Sequence, residues 1–272
     1  MKELTNAEFN KIRDYIKANY GINLSDEKKT LVHSRLRTTL DELGFDSFSQ
    51  YYDYLIYDKT GEAVIRFVDK LTTNHTFFMR ETEHFDYFRD IVLPYIEETY
   101  GTQRDFRLWC AACSTGEESV TLQIIAQEYF RKRGVKWDTT MLASDISTRV
   151  LDKAVSGQYS IESMVNLPAH WQTEHFKKID ANFSQVKDEI RSPIMYRKIN
   201  LMDAFNFKRK FQVIFCRNVM IYFDNATRDA VVRKFYDVIE PGGYLFIGHS
   251  ESISNSNSGF EYIKPAVYRK PK

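Results

Sequence analysis

Three cysteines in 272 residues, Cys110, Cys113 and Cys216, are too few and too odd in number for a disulfide framework, which points to a reducing compartment. No apolar run approaches the roughly 20 residues that cross a bilayer. The opening MKELTNAEFN has no apolar stretch before a small-residue cleavage site. A cytoplasmic protein without membrane insertion is therefore expected. An excess of one charge is also missing, with 38 Lys and Arg against 37 Asp and Glu. Without the large positive field that neutralises phosphates, nucleic acid is not an expected partner. Only 6 prolines and 11 glycines occur, and there is no repeat or low-complexity tract. With 43% hydrophobic residues the chain can bury enough surface to offset its ordering entropy, and its length suffices for two domains.

Several catalytic signatures are absent as well. There is no Gly-Lys-Ser or Gly-Lys-Thr phosphate loop and no Gly-x-Ser-x-Gly elbow. There is also no Asn-Pro-Pro-Tyr or Asp-Pro-Pro-Tyr run of the kind that holds a base for amino methylation. The six histidines, His33, His75, His84, His170, His175 and His249, have no paired ligand spacing, and Cys216 cannot complete a four-ligand zinc site with Cys110 and Cys113. No metal is expected.

What is present divides by periodicity. Thr5 and Glu8 form a capping box for a helix with Phe9, Ile12 and Ile16 on one face, closed by Gly21. A second helix follows Ser25, with Val32, Leu36, Leu40 and Leu43 inward. Ser47 with Gln50 opens a third, and Glu62 to Leu71 fits a fourth. Residues 1–70 read as a helical domain. Residues 71–104 read as a linker and connecting helix, whose apolar side would carry Phe85, Phe88, Ile91, Val92 and Tyr95. From Phe106 short apolar runs alternate with helices at 117–133, 147–156 and 225–239, the pattern of a parallel α/β sheet spanning 105–272. FRLWCAA, TMLAS, PIMYRKI, FQVIFC and YLFIG are the strand candidates. Pro241-Gly242-Gly243 forms the turn before YLFIG, and FEYI with AVYR suits a closing antiparallel pair. A small inserted β-subdomain is expected at about 176–198.

Chemistry concentrates where Leu108-Trp109-Cys110-Ala111 passes through small residues to Gly116-Glu117-Glu118. In a doubly wound sheet such a turn lies at the carboxyl edge, where ligands approach the backbone. Asp145 ends the next strand, where it can accept ribose hydroxyls or cap the following helix; the two roles are compatible. Glu117 at a helix start repels a pyrophosphate and suits an ammonium group. That chemistry favours S-adenosylmethionine over a dinucleotide or a nucleoside triphosphate.

Five phrases then resemble the CheR-type chemotaxis receptor methyltransferases. They are Thr72-Thr73-Asn74-His75-Thr76-Phe77-Phe78-Met79-Arg80-Glu81, Ala112-Cys113-Ser114-Thr115-Gly116-Glu117-Glu118, Ala143-Ser144-Asp145-Ile146, Cys216-Arg217-Asn218-Val219-Met220-Ile221-Tyr222-Phe223 and Gly248-His249-Ser250-Glu251. The resemblance implies an α/β, Rossmann-like methyltransferase sheet with an N-terminal all-helical domain and a small antiparallel β insertion. It also implies that S-adenosylmethionine is the cofactor and S-adenosylhomocysteine the product. By resemblance, Asn74, Thr76 and Arg80 contact the cofactor from the linker, Glu117 meets its ammonium and Asp145 its ribose. Asn200 and Leu201 border the adenine, Arg217 and Asn218 close the pocket floor, and Arg80 and Tyr222 flank the transferred methyl. Where relatives continue Gly-Glu-Glu with Pro-Tyr-Ser, this chain has Ser119-Val120-Thr121. Proline there only preorganises a first helical turn, so the site is expected to survive.

The implied activity is esterification of receptor glutamates, a reaction in which the carboxylate nucleophile is already ionised and no general base is required. A monomer is expected, docking on receptors through a basic helical face with Lys28, Lys29, Arg35 and Arg37. In some relatives the inserted subdomain grips a receptor-tail peptide by strand addition. The short interval from His175 to Asn200 argues against such a tether here. Two alternatives remain: a binding module without turnover, and a methyltransferase for another acceptor.

Overall fold

The computed structural model describes residues 3–71, 76–253 and 258–272. The chain forms two compact units. The smaller holds the N-terminal helices and the segment Tyr222–Thr227, and the larger holds Thr76–Ile221 and Arg228–Lys272. No helix of the described residues is long and apolar enough to cross a membrane.

In the smaller unit, α1 (Asn6–Tyr20) is fixed at its start by the reciprocal box. The Glu8 amide donates to Thr5 Oγ1 at 3.2 Å, and the Thr5 amide donates to Glu8 Oε2 at 3.0 Å. A 3-10 turn at Asp26–Lys28 leads into α2 (Lys29–Leu43), followed by α3 (Phe48–Tyr57) and α4 (Glu62–Leu71). Phe9, Ile12, Ile16, Val32, Leu36, Leu40, Phe48, Leu55 and Phe67 form one core. The segment Tyr222–Thr227 is laced to this unit. The Asn23 amide donates to Tyr222 O at 2.8 Å, Ile22 bridges Phe223, and Lys17 pairs with Asp224 at 2.7 Å.

The expected basic face needs correction. Arg35 and Arg37 are two residues apart on α2, hence about 200° around the helix axis, and cannot share a side. Lys29 Nζ donates to Asn6 Oδ1 at 2.6 Å and Arg35 Nη1 to Lys70 O at 2.9 Å, so part of this charge serves the unit itself.

The larger unit begins with α5 (Thr82–Tyr87), a π-helical turn (Phe88–Val92) and α6 (Leu93–Tyr100). The π turn admits an extra residue, which rotates the apolar face onto Val92, Leu93 and Ile96. Ile91, expected to face inward, is 49% exposed. The chain then runs through β1 (Leu108–Ala111), α7 (Glu117–Arg131), β2 (Met141–Asp145), α8 (Thr148–Ser156) and β3 (Gln158–Ser160). It continues through α9 (Ala169–Glu174), β4 (Phe176–Lys178), β5 (Phe183–Val186), α10 (Asp188–Arg191) and β6 (Ile194–Lys198). The last elements are β7 (Phe211–Cys216), α11 (Asn225–Val238), β8 (Ile239–Phe246), β9 (Glu261–Lys264) and β10 (Val267–Arg269).

Seven strands form one sheet in the order β6-β2-β1-β7-β8-β10-β9. The pairs from β6 to β8 are parallel, and β10 runs antiparallel to both β8 and β9. Two expectations shift. Ile194–Lys198 pairs with β2 in the large sheet, as expected of the strand candidate PIMYRKI, although it also fell inside the bounds given to the insertion; the small antiparallel sheet β3-β5-β4 recruits Gln158–Ser160 instead. The inserted sheet thus runs from Gln158 to Val186 rather than over 176–198, because pairing partners decide sheet membership. Pro241-Gly242-Gly243 lies within β8: from Ile239 to Tyr244 that strand advances five residues while β7 advances two, from Phe211 to Val213. The turn residues are absorbed as a bulge.

Both sheet faces are covered, so β1 and β7 are buried along their whole length. On one face Trp109 is fully buried against Phe205, Phe207, Phe211 and Phe235, with centroids 5.0–5.5 Å away. Its indole N–H donates to Ser144 Oγ at 2.9 Å. On the other face Phe215 stacks on Phe246 at 4.2 Å. Trp109→Ala should destabilise the larger unit by about 3–5 kcal/mol, read as a lowered urea midpoint with little change in slope.

Candidate active site

The strand order reverses direction beside β1: the chain goes from β1 outward to β2 and β6, then returns to β7 and β8 on the other side. Such a switch point opens a crevice at the carboxyl ends of the strands. At that edge Glu117 opens the helix that follows β1, Asp145 ends β2, and the loops leaving β6 and β7 carry Asn200 with Leu201 and Arg217 with Asn218.

The loop after β1 turns sharply. Ala112 and Ser114 have left-handed φ values of 61° and 50°, and Gly116 reaches 96°. A Cβ on Gly116 would lie 2.7 Å from the Tyr159 hydroxyl and 2.9 Å from Ala154 Cβ, so only glycine fits there. Tyr159 Oη in turn donates to Thr115 O at 2.9 Å. This packing sets the start of α7, where the buried Glu117 carboxylate accepts from Thr115 Oγ1 at 2.6 Å. Asp145 accepts the Ser114 amide at 2.9 Å and the Ser147 amide at 3.0 Å, tying the β1 and β2 loops together. Its expected role as helix cap belongs instead to Ser147, whose hydroxyl accepts from the Val150 amide. Asn200 Oδ1 accepts the Met202 amide at 3.0 Å, and Leu201 is buried beside it.

Beyond β7 the arrangement centres on Arg217, whose side chain is 1% exposed. Nη1 donates to Glu118 Oε2 at 2.5 Å, and Nη2 donates to Glu81 Oε2 at 2.8 Å and to the Arg80 carbonyl at 2.6 Å. Burial works against this charge, but Glu118 and Glu81 outweigh it and raise the guanidinium pKa. Burial likewise pushes the Glu81 carboxyl up, and Arg217 and Asn218 more than reverse that, leaving it below the ordinary carboxylate value. Asn218, at φ 59°, donates through Nδ2 to Glu81 Oε1 at 3.2 Å. Glu251 accepts the amides of Gly248, Asn218 and Ile221 at 2.6, 3.0 and 3.2 Å. A Cβ on Gly248 would lie 2.5 Å from Asn218 Nδ2, which accounts for the glycine in Gly248-His249-Ser250-Glu251.

Glu81, Glu118 and Glu251 had no role assigned from sequence, although all three stand in the phrases that carried the resemblance. Of the remaining candidates, Thr76 is half-buried, and the Arg80 guanidinium lies 6.0 Å from the Phe77 ring centroid. Tyr222 belongs to the smaller unit, its ring against the helical core. Asn74 lies outside the described residues.

The three cysteine thiols are buried and raised by burial, so none is a reactive thiolate. Glu81, His84 and His249 converge closely enough to hold a cation, as do Glu128, Glu174 and His175. The first group has a guanidinium 2.8 Å from its carboxylate, which repels a cation. In the second, Glu128 is already bound to His175 at 2.8 Å. A groove of about 990 Å³ beside Arg104, Arg131 and Trp137 lies by the amino ends of β2 and β6, away from these residues.

Two carboxylates at the crevice, with no phosphate-cradling loop, fit a ligand bearing an ammonium group and a ribose. Residues 74–269 match the family model described as CheR methyltransferase, SAM binding domain, and residues 7–72 match the CheR methyltransferase all-alpha domain. The chain belongs to the CheR methyltransferase family. It is 38% identical to a chemotaxis protein methyltransferase of Borreliella burgdorferi, over 98% of this chain and 95% of that one. It is 34% identical to one of Salmonella typhimurium, over 97% and 90%, and 33% identical to one of Escherichia coli, over 97% and 91%. As a CheR methyltransferase it uses S-adenosylmethionine.

His84 has a specific consequence for pH. It is fully buried, neither ring nitrogen has a hydrogen-bond partner among the described residues, and Nδ1 lies 3.5 Å from Glu81 Oε2. Burial above all, with Arg217 adding, lowers its pKa to about 3. The unfolded chain takes up a proton near the ordinary value of 6.5, whereas the folded one does so only near 3. Stability is thus full above the unfolded value and falls as pH drops through this window. Between pH 6.5 and 5 the loss should be about 2 kcal/mol, and His84→Leu should remove that part of the slope in urea titrations at the two pH values.

Proposed function

We propose that this enzyme transfers the methyl group of S-adenosylmethionine to glutamate side chains of chemotaxis receptors, leaving glutamate methyl esters and S-adenosylhomocysteine. The observation that carries this reading is the near-full-length similarity to chemotaxis protein methyltransferases, joined to a crevice whose charges suit the cofactor. Bound S-adenosylmethionine supplies a methyl group on a cationic sulfur. The chain's own contribution is positioning. Glu117 takes the ammonium, Asp145 the ribose hydroxyls, and Asn200 with Leu201 the adenine edge. Thr76 and Asn74 line the cofactor from the linker, while Arg217 and Asn218 hold the floor. Arg80 and Tyr222 orient the acceptor carboxylate. Such a carboxylate is ionised at neutral pH, so in-line placement supplies much of the catalysis. Each ester removes one negative charge from a receptor helix, which can bias a signalling equilibrium.

The proposed division of labour gives receptor docking to residues 1–70, connection to 71–104 and transfer to 105–272. Lys28, at the end of the 3-10 turn, and Arg35, on α2, are the basic residues we assign to an acidic receptor helix. The edge strands of the small sheet, β3 and β4, have three residues each, a short ladder that supports the absence of a peptide tether.

Incubation with tritiated S-adenosylmethionine and receptor membranes, followed by base, should release volatile methanol. Alkali-stable label would overturn the glutamate assignment, and no label would favour a binding module. Glu117→Ala should weaken cofactor binding about tenfold or more by calorimetry. Reversing Lys28 and Arg35 should slow receptor methylation severalfold with unchanged cofactor affinity; an unchanged rate would refute the docking face. Micromolar binding of a receptor-tail peptide would overturn the case against a tether.

A further inference from the structure

Arg80 sits on a backbone that its neighbours would not choose alone. Met79 and Glu81, on either side of it, have left-handed φ values of 63° and 58°, a sterically disfavoured region for residues with a Cβ. Local bonds secure this turn in part: Thr82 Oγ1 donates to Met79 O at 2.8 Å and the His84 amide to Glu81 O at 3.0 Å. The remaining hold comes from far along the chain. Arg217, 137 residues from Arg80, donates Nη2 to its carbonyl, and the same nitrogen bonds the Glu81 carboxylate. The other arm of the fork is pinned to Glu118, in the first turn of α7.

We infer that the buried Glu118–Arg217–Glu81 cluster fixes the turn that presents Arg80, which makes Glu81 and Glu118 positioning residues for methyl transfer. The inference rests on the reading that Arg80 acts beside the transferred methyl. A guanidinium is planar, so anchoring Nη1 to Glu118 fixes the direction from which Nη2 reaches the Arg80 carbonyl. Glu81 gathers three loops at once, since it also accepts from Asn218 Nδ2 and from the His249 amide at 3.2 Å. Glu118 adjoins Glu117, so one helical turn couples the cofactor loop to the turn bearing Arg80. Neither glutamate needs to touch a reacting atom. Each acts through Arg217.

The test is a double-mutant cycle on the full chain with Glu81→Gln, Glu118→Gln and Arg80→Lys, the glutamines preserving side-chain volume. Each glutamine variant should lower kcat at saturating cofactor about tenfold or more, over and above any loss of cofactor affinity that follows from disturbing Arg217 and Asn218 on the pocket floor. In the free protein, hydrogen exchange at amides 79–84 should quicken about tenfold, a readout independent of turnover. In the Arg80→Lys background the glutamine substitutions should add no further loss. Additive losses, or unchanged exchange, would overturn the positioning role while leaving Arg80 in place. Full activity of Arg80→Lys and Arg80→Ala would instead refute the reading of Arg80, and this inference with it. If a glutamine variant does not fold, Glu81→Asp and Glu118→Asp, which keep the charge but retract the carboxylate, should give the same faster exchange.

Discussion

One guanidinium, taken out of water at Arg217, ties together segments of the larger unit that lie far apart in the chain. An unpaired buried charge is untenable, and breaking a buried pair costs about 3–5 kcal/mol, so its partners are obligatory. Those partners are Glu118 on α7, Glu81 in the turn before α5, and the Arg80 carbonyl. Through them the sheet edge, the helix that follows β1 and the turn preceding α5 become one body. The strained φ values at Met79, Glu81 and Asn218 persist because this network over-determines them.

Around that centre the charges separate by task. Glu117 and Glu118 are consecutive at the start of α7, about 100° apart around its axis. Both gain from the helix dipole. One closes the loop that faces the crevice, and the other neutralises Arg217. Glu251, buried at the end of its own loop, carries three backbone amides that orient Asn218 and Gly248. His84 stays neutral because burial penalises its charged form and the nearby Arg217 repels a second cation. The acidic residues of this region therefore do two jobs, binding and bracing, that composition cannot tell apart.

The smaller unit follows simpler rules. Its capping box, glycine stops and apolar stripes are local features, and the helices expected from them form with the expected inward residues. What periodicity could not reveal there is the segment Tyr222–Thr227, which joins this unit from far along the chain through backbone bonds to Ile22 and Asn23. The charge pattern needed the same geometry: Arg35 and Arg37, two residues apart on α2, point to different sides because an α-helix turns about 100° per residue.

Sequence alone determined the elements whose causes lie within a few residues of one another. These include the helix caps, the continuous apolar runs of a doubly covered sheet, and the acidic residues that begin α7 and end β2. The five phrases that identified the family belong here too, since they need only order and spacing. Tertiary structure decided whatever depended on partners remote in the chain. It drew Gln158–Ser160 into the small sheet, absorbed Pro241-Gly242-Gly243 into β8 and left Ile91 exposed within a π turn. It also gave Glu81, Glu118 and Arg217 a common purpose across separations of 99 and 136 residues. Hydrogen bonds and desolvation act over a few ångströms in space. Only the folded chain says which residues those ångströms join.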